Sequence, residues 1–181
     1  MNRYVALLRG INVGGKKLIK MELLVRIFNG AGLKNVRTYI ASGNVIFDSS
    51  SKSRATLTRR IENALQQELG YEVTVVLKTL GELESIVTRN PFERRPSSPD
   101  AMQCVVFLVD DPKIALQIPL ISTTENLEVF ELVERTACIT ARRKKTGWFG
   151  YPNNFVEKQF GVTGTTRNWS SVLKILQAAK K

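Results

Sequence analysis

The sequence contains no histidine. That excludes the Ser-His and Cys-His nucleophile pairs and any His-ligated zinc site. It also removes the usual general acid–base of neutral pH. Any chemistry must rest on carboxylates, lysine, tyrosine, or a metal held by oxygen. Cysteine is nearly absent too, with only Cys104 and Cys138. Each sits in an apolar run and reads as a small buried hydrophobe. The two runs suit adjacent strands, but a disulfide would be unusual in a cytosolic chain. No apolar run approaches the ~20 residues needed to span a bilayer. After Met1 to Leu8 come Arg9 and a stretch of turn formers, with no small-residue cleavage site. The start therefore reads as a buried strand, not a signal peptide. A cytoplasmic protein with no membrane partner is expected.

What is present is positive charge, +11 over 181 residues. Residues 1–20 hold Arg3, Arg9, Lys16, Lys17 and Lys20 without an acid. Residues 142–181 hold nine Lys or Arg against Glu157 alone. The stretch between is close to neutral, with 13 bases and 15 acids. If the two ends meet, they form one positive face for phosphates, nucleic acid or anionic lipid. The plainer reading is a solvated surface that keeps the chain dispersed.

Residues 3–9 read as a strand, followed by a basic Gly-rich loop at 10–17. Met21, Leu24, Val25, Phe28 and Ala31 then recur at helical spacing up to Gly32. Residues 35–41 and 44–48 are rich in β-branched and aromatic residues, and Ser42-Gly43-Asn44 marks a hairpin between them. Leu57, Ile61, Leu65 and Leu69 repeat every fourth residue, and 73–78 is another strand. The order β-α-β-β-α-β over 1–80 is the ferredoxin-like pattern. A short helix is expected at 80–89, then a Pro-rich connection at 90–100. Beyond it come a strand at 102–109, a short helix at 112–119 from Pro112, and a hairpin of 127–133 with 136–142. An irregular segment follows through Phe155. A last helix runs from about Asn168, with Trp169, Val172, Leu173 and Leu176 on one face. The fold class is α+β. Residues 1–80 form one ferredoxin-like subdomain, and 81–181 form a second that lacks a clear last strand.

Four segments are candidates for chemistry. The first is Gly10 to Lys17, where glycines let backbone amides approach an anion and Lys16 and Lys17 add charge. It misses the phosphate-loop pattern G-x-x-x-x-G-K-[ST] by one residue, because Lys17 stands where magnesium needs a hydroxyl. Asp110 and Asp111, ending an apolar strand, would be the acids of such a site. Against a nucleoside triphosphatase, the neighbouring elements are β-α-β-β and the helix starts near Met21, not at Lys16. A basic surface turn is the plainer alternative. The second segment is Ser42-Gly43-Asn44, either a tight turn or, with Thr38, a set of polar groups at a site. The third is Thr165 to Trp169, where a helix start, Arg167 and Asn168 would form an anion fork. Trp169 there is core or stacking surface. The fourth is Arg142-Arg143-Lys144-Lys145 with Trp148, Phe149, Tyr151 and Phe155. Cations interleaved with rings suit single-stranded nucleic acid. The segment does not match the RNA-recognition signature expected on a ferredoxin-like sheet.

At these segments the chain resembles the domain-of-unknown-function family 1697. The residues that carry the resemblance are Leu7 to Gly15, Met21 with Leu24, and Thr38-Tyr39-Ile40 with Ser42-Gly43-Asn44-Val45 and Phe47. Asn90-Pro91-Phe92 and Thr166-Arg167-Asn168-Trp169 with Val172 and Lys174 complete the set. Ala41 and Ile175 depart from the pattern, where Gln and Leu are usual. The resemblance implies a bacterial-type cytoplasmic protein of ferredoxin-like subdomains, and it brings no catalytic residues with it.

The function expected is a non-enzymatic binder of phosphate-bearing ligands, nucleic acid or a phosphorylated small molecule. Arg9, Lys16, Lys17 and Arg167 would meet phosphate. Asn12, Ser42, Asn44 and Asn168 would orient it, and Trp148 or Trp169 would stack. This requires the 10–17 loop and the last helix start to be neighbours. Two alternatives stand: an enzyme on a small phosphorylated or anionic metabolite, using Lys16 or Asp110, and a structural or interaction module. Sequence assigns no cofactor, metal or oligomeric state.

Overall fold

The computed structural model describes residues 1–12, 18–95 and 98–181. They fall into two compact units, residues 1–85 with 174–181, and residues 86–173.

In the first unit the order is β1 (Asn2–Leu8), α1 (Met21–Gly30), β2 (Lys34–Thr38), β3 (Asn44–Ser49), α2 (Arg54–Leu69) and β4 (Val75–Thr79). The strands form an antiparallel sheet in the order β2-β3-β1-β4. Period-2 alternation along β1 sends Tyr4, Ala6 and Leu8 to one face. There they join Leu24 and Phe28 of α1 and Leu57, Ile61 and Leu65 of α2 in one apolar core. Phe47 anchors this core, stacked on Tyr4 and edge-on to Phe28, with ring centroids 5.7 Å away in each case. Helix α2 starts on Ser53, whose hydroxyl accepts from the Thr56 amide, and stops at Gly70 in the left-handed region. These are ordinary start and stop devices. Strand β2 ends earlier than the β-branched run predicts, because Ile40 takes a positive φ of 50°. Helix α3 (Leu80–Arg89) follows β4 directly. Thr79 and Glu82 close its start reciprocally. The Thr79 amide donates to the Glu82 carboxylate at 2.7 Å, and the Glu82 amide donates to the Thr79 hydroxyl at 3.2 Å. That is a capping box.

The second unit holds β5 (Ala101–Leu108), β6 (Leu120–Ser122), β7 (Leu127–Val133), β8 (Thr136–Arg142), α4 (Pro152–Phe160) and β9 (Gly164–Asn168). Its sheet runs β6-β7-β8-β5-β9, again antiparallel. Without the three-residue edge strand β6, the chain-order pattern is that of the first sheet. Val106, Ile139, Val156 and Phe160 lie in its core.

Three expectations change here. Residues 112–119 form no helix; they are irregular, with bends, and lead into β6. The expected irregular segment contains α4, with Pro152 in its first turn and Val156 and Phe160 on its buried face. The last strand does exist: β9 pairs with β5, placing Val105 opposite Arg167. The second unit is thus short of its first helix, not of its last strand.

Helix α5 (Trp169–Lys180) ends the chain. Its buried residues are Trp169, Val172, Ile175, Leu176 and Ala179, while Leu173 is exposed. Its first residues belong to the second unit, and residues from 174 onward to the first. In the first unit Arg3 and Arg37 donate to its last-turn carbonyls of Ala179 and Ala178, at 2.9 and 2.8 Å. Guanidinium groups satisfy carbonyls that have no partner within the helix.

Both cysteines are buried and neither is in a disulfide. Cys104 lies opposite Ile139 and Cys138 opposite Val105. One residue of offset turns the two sulfurs to opposite faces of the sheet. Among the described residues, no helix is long and apolar enough to cross a membrane.

Candidate functional site

At one end of the first sheet, β1 runs out at Leu8 and the Gly-rich loop begins. The Leu8 amide donates to the Gly43 carbonyl at 2.8 Å, and the Arg9 amide to the Thr74 carbonyl at 2.9 Å. Gly10 and Asn12 both take positive φ, 70° and 54°. The Asn12 side chain then makes three hydrogen bonds. Its Oδ1 accepts from the Ile19 amide at 2.7 Å, and its Nδ2 donates to the Ile19 carbonyl at 3.1 Å and to the Ala41 carbonyl at 2.8 Å. One amide therefore closes the loop at its base and fastens it to the turn between β2 and β3. Two of the four sequence candidates, the Gly-rich loop and the Ser42-Gly43-Asn44 turn, are joined this way.

The turn itself faces inward. Asn44 is fully buried. Its Nδ2 donates to the Tyr39 carbonyl at 3.0 Å and to the Ser42 hydroxyl at 2.9 Å. Gly43 has φ of 73°, and a Cβ there would lie 3.0 Å from Leu8 Cβ and 3.2 Å from Ile11 Cβ. Only glycine fits such an approach. Asn12 and Asn44 hold the backbone, while the half-buried Arg9 and Ser42 flank the loop. Leu18 and Lys20, where the loop returns, are exposed. Lys16 and Lys17 lie outside the described residues.

Arg167, Asn168 and Trp169 belong to the second unit. The last helix begins at Trp169, within one residue of the expected start, but Thr165 to Asn168 lie in β9, which passes into α5 with no intervening loop. Arg167 is buried, and its Nη1 donates to the Thr165 hydroxyl at 2.9 Å and the Thr166 carbonyl at 2.8 Å. Burial pushes the Arg167 guanidinium down to about 10. Trp169 is buried as well, its ring 5.1 Å from that of Phe92. It is a packing residue. Asn168 remains exposed.

Of the other charged candidates, Asp110, Asp111, Arg143 and Lys144 are in ion pairs. Arg135 reaches Asp111 at 2.9 Å and Asp110 at 3.4 Å. Arg143 meets Asp100 at 3.1 Å, and Lys144 meets Glu125 at 3.0 Å. The pairing of Asp110 and Asp111 with Arg135 and the wholly antiparallel first sheet both depart from a nucleoside triphosphatase, whose phosphate loop joins a strand to a helix in a βαβ setting. Among the described residues, no group of three or more acidic or cysteine side chains could hold a metal ion.

Sequence reasoning missed a polar hub around Asp48. Its carboxylate accepts from Arg3 at 3.0 and 3.3 Å and from Asn35 at 2.7 Å. The Arg3 hydrogen bonds hold its carboxyl below the ordinary value, against the opposing effect of burial. The partners lie 45 and 13 residues away in sequence, so no local pattern announces them.

Set beside known proteins, residues 1–137 match the family described as "Protein of unknown function (DUF1697)". The chain belongs to this family. No curated protein matches it. Among solved structures, DUF1697 membership sits beside a likeness to the conserved bacterial protein SP0830 from Streptococcus pneumoniae. That structure is 23% identical with a TM-score of 0.71, over 100% of this chain and 99% of the other. At that identity the likeness shows the fold alone: mixed α and β, with two antiparallel sheets and five helices among the described residues of this DUF1697 chain.

Proposed function

We propose that this chain is a non-enzymatic binder of phosphate-bearing ligands, nucleic acid foremost, acting in the cytoplasm through the loop between β1 and α1. The observation that carries the reading is the Asn12 clamp, which ties Asn12 to Ile19 and to Ala41. Fixing where the chain leaves and where it returns lowers the ordering cost of binding an anion through the lysines encoded between them. Arg9 adds a third positive side chain next to it. Asn12, Gly43 and Asn44 build the base, and Arg9, Lys16, Lys17 and Ser42 are the contacts.

The shifted thiols and carboxyls do not suit a general acid or base. Burial pushes the thiols of Cys104 and Cys138 up to about 12. The carboxyls of Asp48, Glu82, Glu125 and Glu128 move down. None of these shifts goes toward neutrality, where a general acid or base works best. We also infer that each unit is a ferredoxin-like βαββαβ module, the second with its first helix replaced by an irregular segment. The strand orders β2-β3-β1-β4 and β7-β8-β5-β9 support this.

Fluorescence anisotropy with single-stranded RNA, single-stranded DNA and duplex DNA across a salt series tests the binding. Each phosphate contact adds roughly 0.7–0.9 to the slope of log affinity against log salt. An Arg9→Ala/Lys16→Ala/Lys17→Ala variant should bind more weakly with a shallower slope. Equal slopes for variant and parent would remove the loop from the interface.

A further inference from the structure

The loop between β8 and α4 carries two rings turned outward. Trp148 is 77% exposed and Tyr151 is 68% exposed. Exposed aromatic rings on a floppy loop would mean little, but this loop is braced. Glu125 accepts from Lys144 Nζ at 3.0 Å and from the Tyr151 amide at 3.1 Å. Arg143 donates to Asp100, to the Pro99 carbonyl and to the Gly147 carbonyl, at 3.1, 3.0 and 2.8 Å. The Lys144 amide donates to the Trp148 carbonyl at 2.8 Å. Gly150 packs so closely that an added Cβ would collide with the Glu125 backbone oxygen. The hydrogen bonds that fix this loop leave its largest apolar side chain in water.

Such a ring is pre-ordered for a flat partner, so stacking on it forgoes much of the entropy cost of ordering a loop. The flanking charge narrows the partner. Arg142 and Lys145 are exposed on the same segment, while Arg143 and Lys144 are held in the brace. From Arg142 onward the chain has nine cationic residues and one acid. Exposed rings between cations fit bases joined by phosphates. We propose that the 142–151 loop of the second unit is a stacking platform for single-stranded nucleic acid, with Trp148 the principal ring and Arg142 and Lys145 the backbone contacts. It extends the phosphate-binding reading by adding a base-reading contact on a different unit.

The chain supplies its own probe, because it has two tryptophans, exposed Trp148 and buried Trp169. Titration with a single-stranded DNA should quench the red-shifted emission of Trp148 and spare the blue emission of Trp169. An abasic strand of equal length keeps the phosphates without the bases. It should leave Trp148 unquenched while still binding the loop after β1. Trp148→Ala should weaken the base-bearing strand roughly five- to 150-fold, the range of one lost stack, and leave the abasic strand unchanged. Trp148 is exposed, so the variant should keep the circular dichroism of the parent. Unchanged Trp148 emission with a base-bearing strand already bound by anisotropy would overturn the platform and leave the loop after β1 standing. Absence of binding by either strand would overturn both. Quenching by phosphatidylserine–phosphatidylcholine vesicles and not by DNA would overturn it in favour of a lipid surface.

Discussion

Asn12 and Ile19 are bound to each other twice, once from the Ile19 amide and once to its carbonyl, at 2.7 and 3.1 Å. A side chain here does what a neighbouring strand does in a sheet. Asn12→Ala removes these bonds and the one to Ala41, and it also places alanine at a positive φ. The expected loss is about 1–3 kcal/mol in urea unfolding, with weaker binding of phosphate-bearing ligands. Asn12→Gly tolerates the φ and should retain more stability than the alanine variant, yet lose binding equally. If glycine restored binding, the clamp would not be what orders the site.

Gly43 makes a sharper case, because backbone and space both forbid a side chain. Gly43→Ala forces a Cβ against Leu8 and Ile11 at φ of 73°. Overpacking of this kind costs about 1–3 kcal/mol. The unfolding midpoint should drop accordingly, and an unshifted midpoint would show that the turn relaxes freely.

The Asp48 hub gives the chain a signature in acid. Its carboxyl is held low by the Arg3 hydrogen bonds, with Asn35 assisting. A depressed native value means the contribution is full above about pH 4, the unfolded range. It is lost as pH falls through the native value. Asp48→Asn should lower the urea midpoint at pH 7 and flatten its decline as pH falls below about 4. A variant curve as steep as the parent's would assign the acid sensitivity elsewhere.

The two thiols should be silent toward alkylating reagents. With values pushed to about 12, on the order of one in ten thousand is thiolate at pH 8. Mass spectrometry after iodoacetamide treatment should find neither Cys104 nor Cys138 modified in native protein and both modified in urea. Rapid labelling of either in the native state would contradict its burial.

The first half of the chain was readable because its elements carry strong periods. Leu57, Ile61 and Leu65 mark α2, and the alternation of Tyr4, Ala6 and Leu8 marks β1. The second half hides its elements. Strand β9, Gly164-Thr165-Thr166-Arg167-Asn168, has no apolar residue to alternate, so only its ladder with β5 identifies it. Its lack of a loop before α5 made Arg167 look like a surface cation at a helix start. Residues 112–119 have the proline of a helix start but no helical repeat behind it. Helix α4 had a fair signal in Pro152, Val156 and Phe160, masked by the glycines and aromatics before it. The Asn12 clamp was invisible because its partners, Ile19 and Ala41, contribute only backbone atoms.

The ties from Arg3 and Arg37 to the carbonyls of Ala179 and Ala178 have a consequence for the ribosome. Arg3 and Arg37 are translated 176 and 141 residues before the carbonyls they meet. A nascent chain can pair β1 with β3, and Arg3 with Asp48, well before α5 is made, but Arg3 Nη1 and Arg37 Nη2 must keep water as their partner until it is. The first sheet is therefore completed only after the second has been translated.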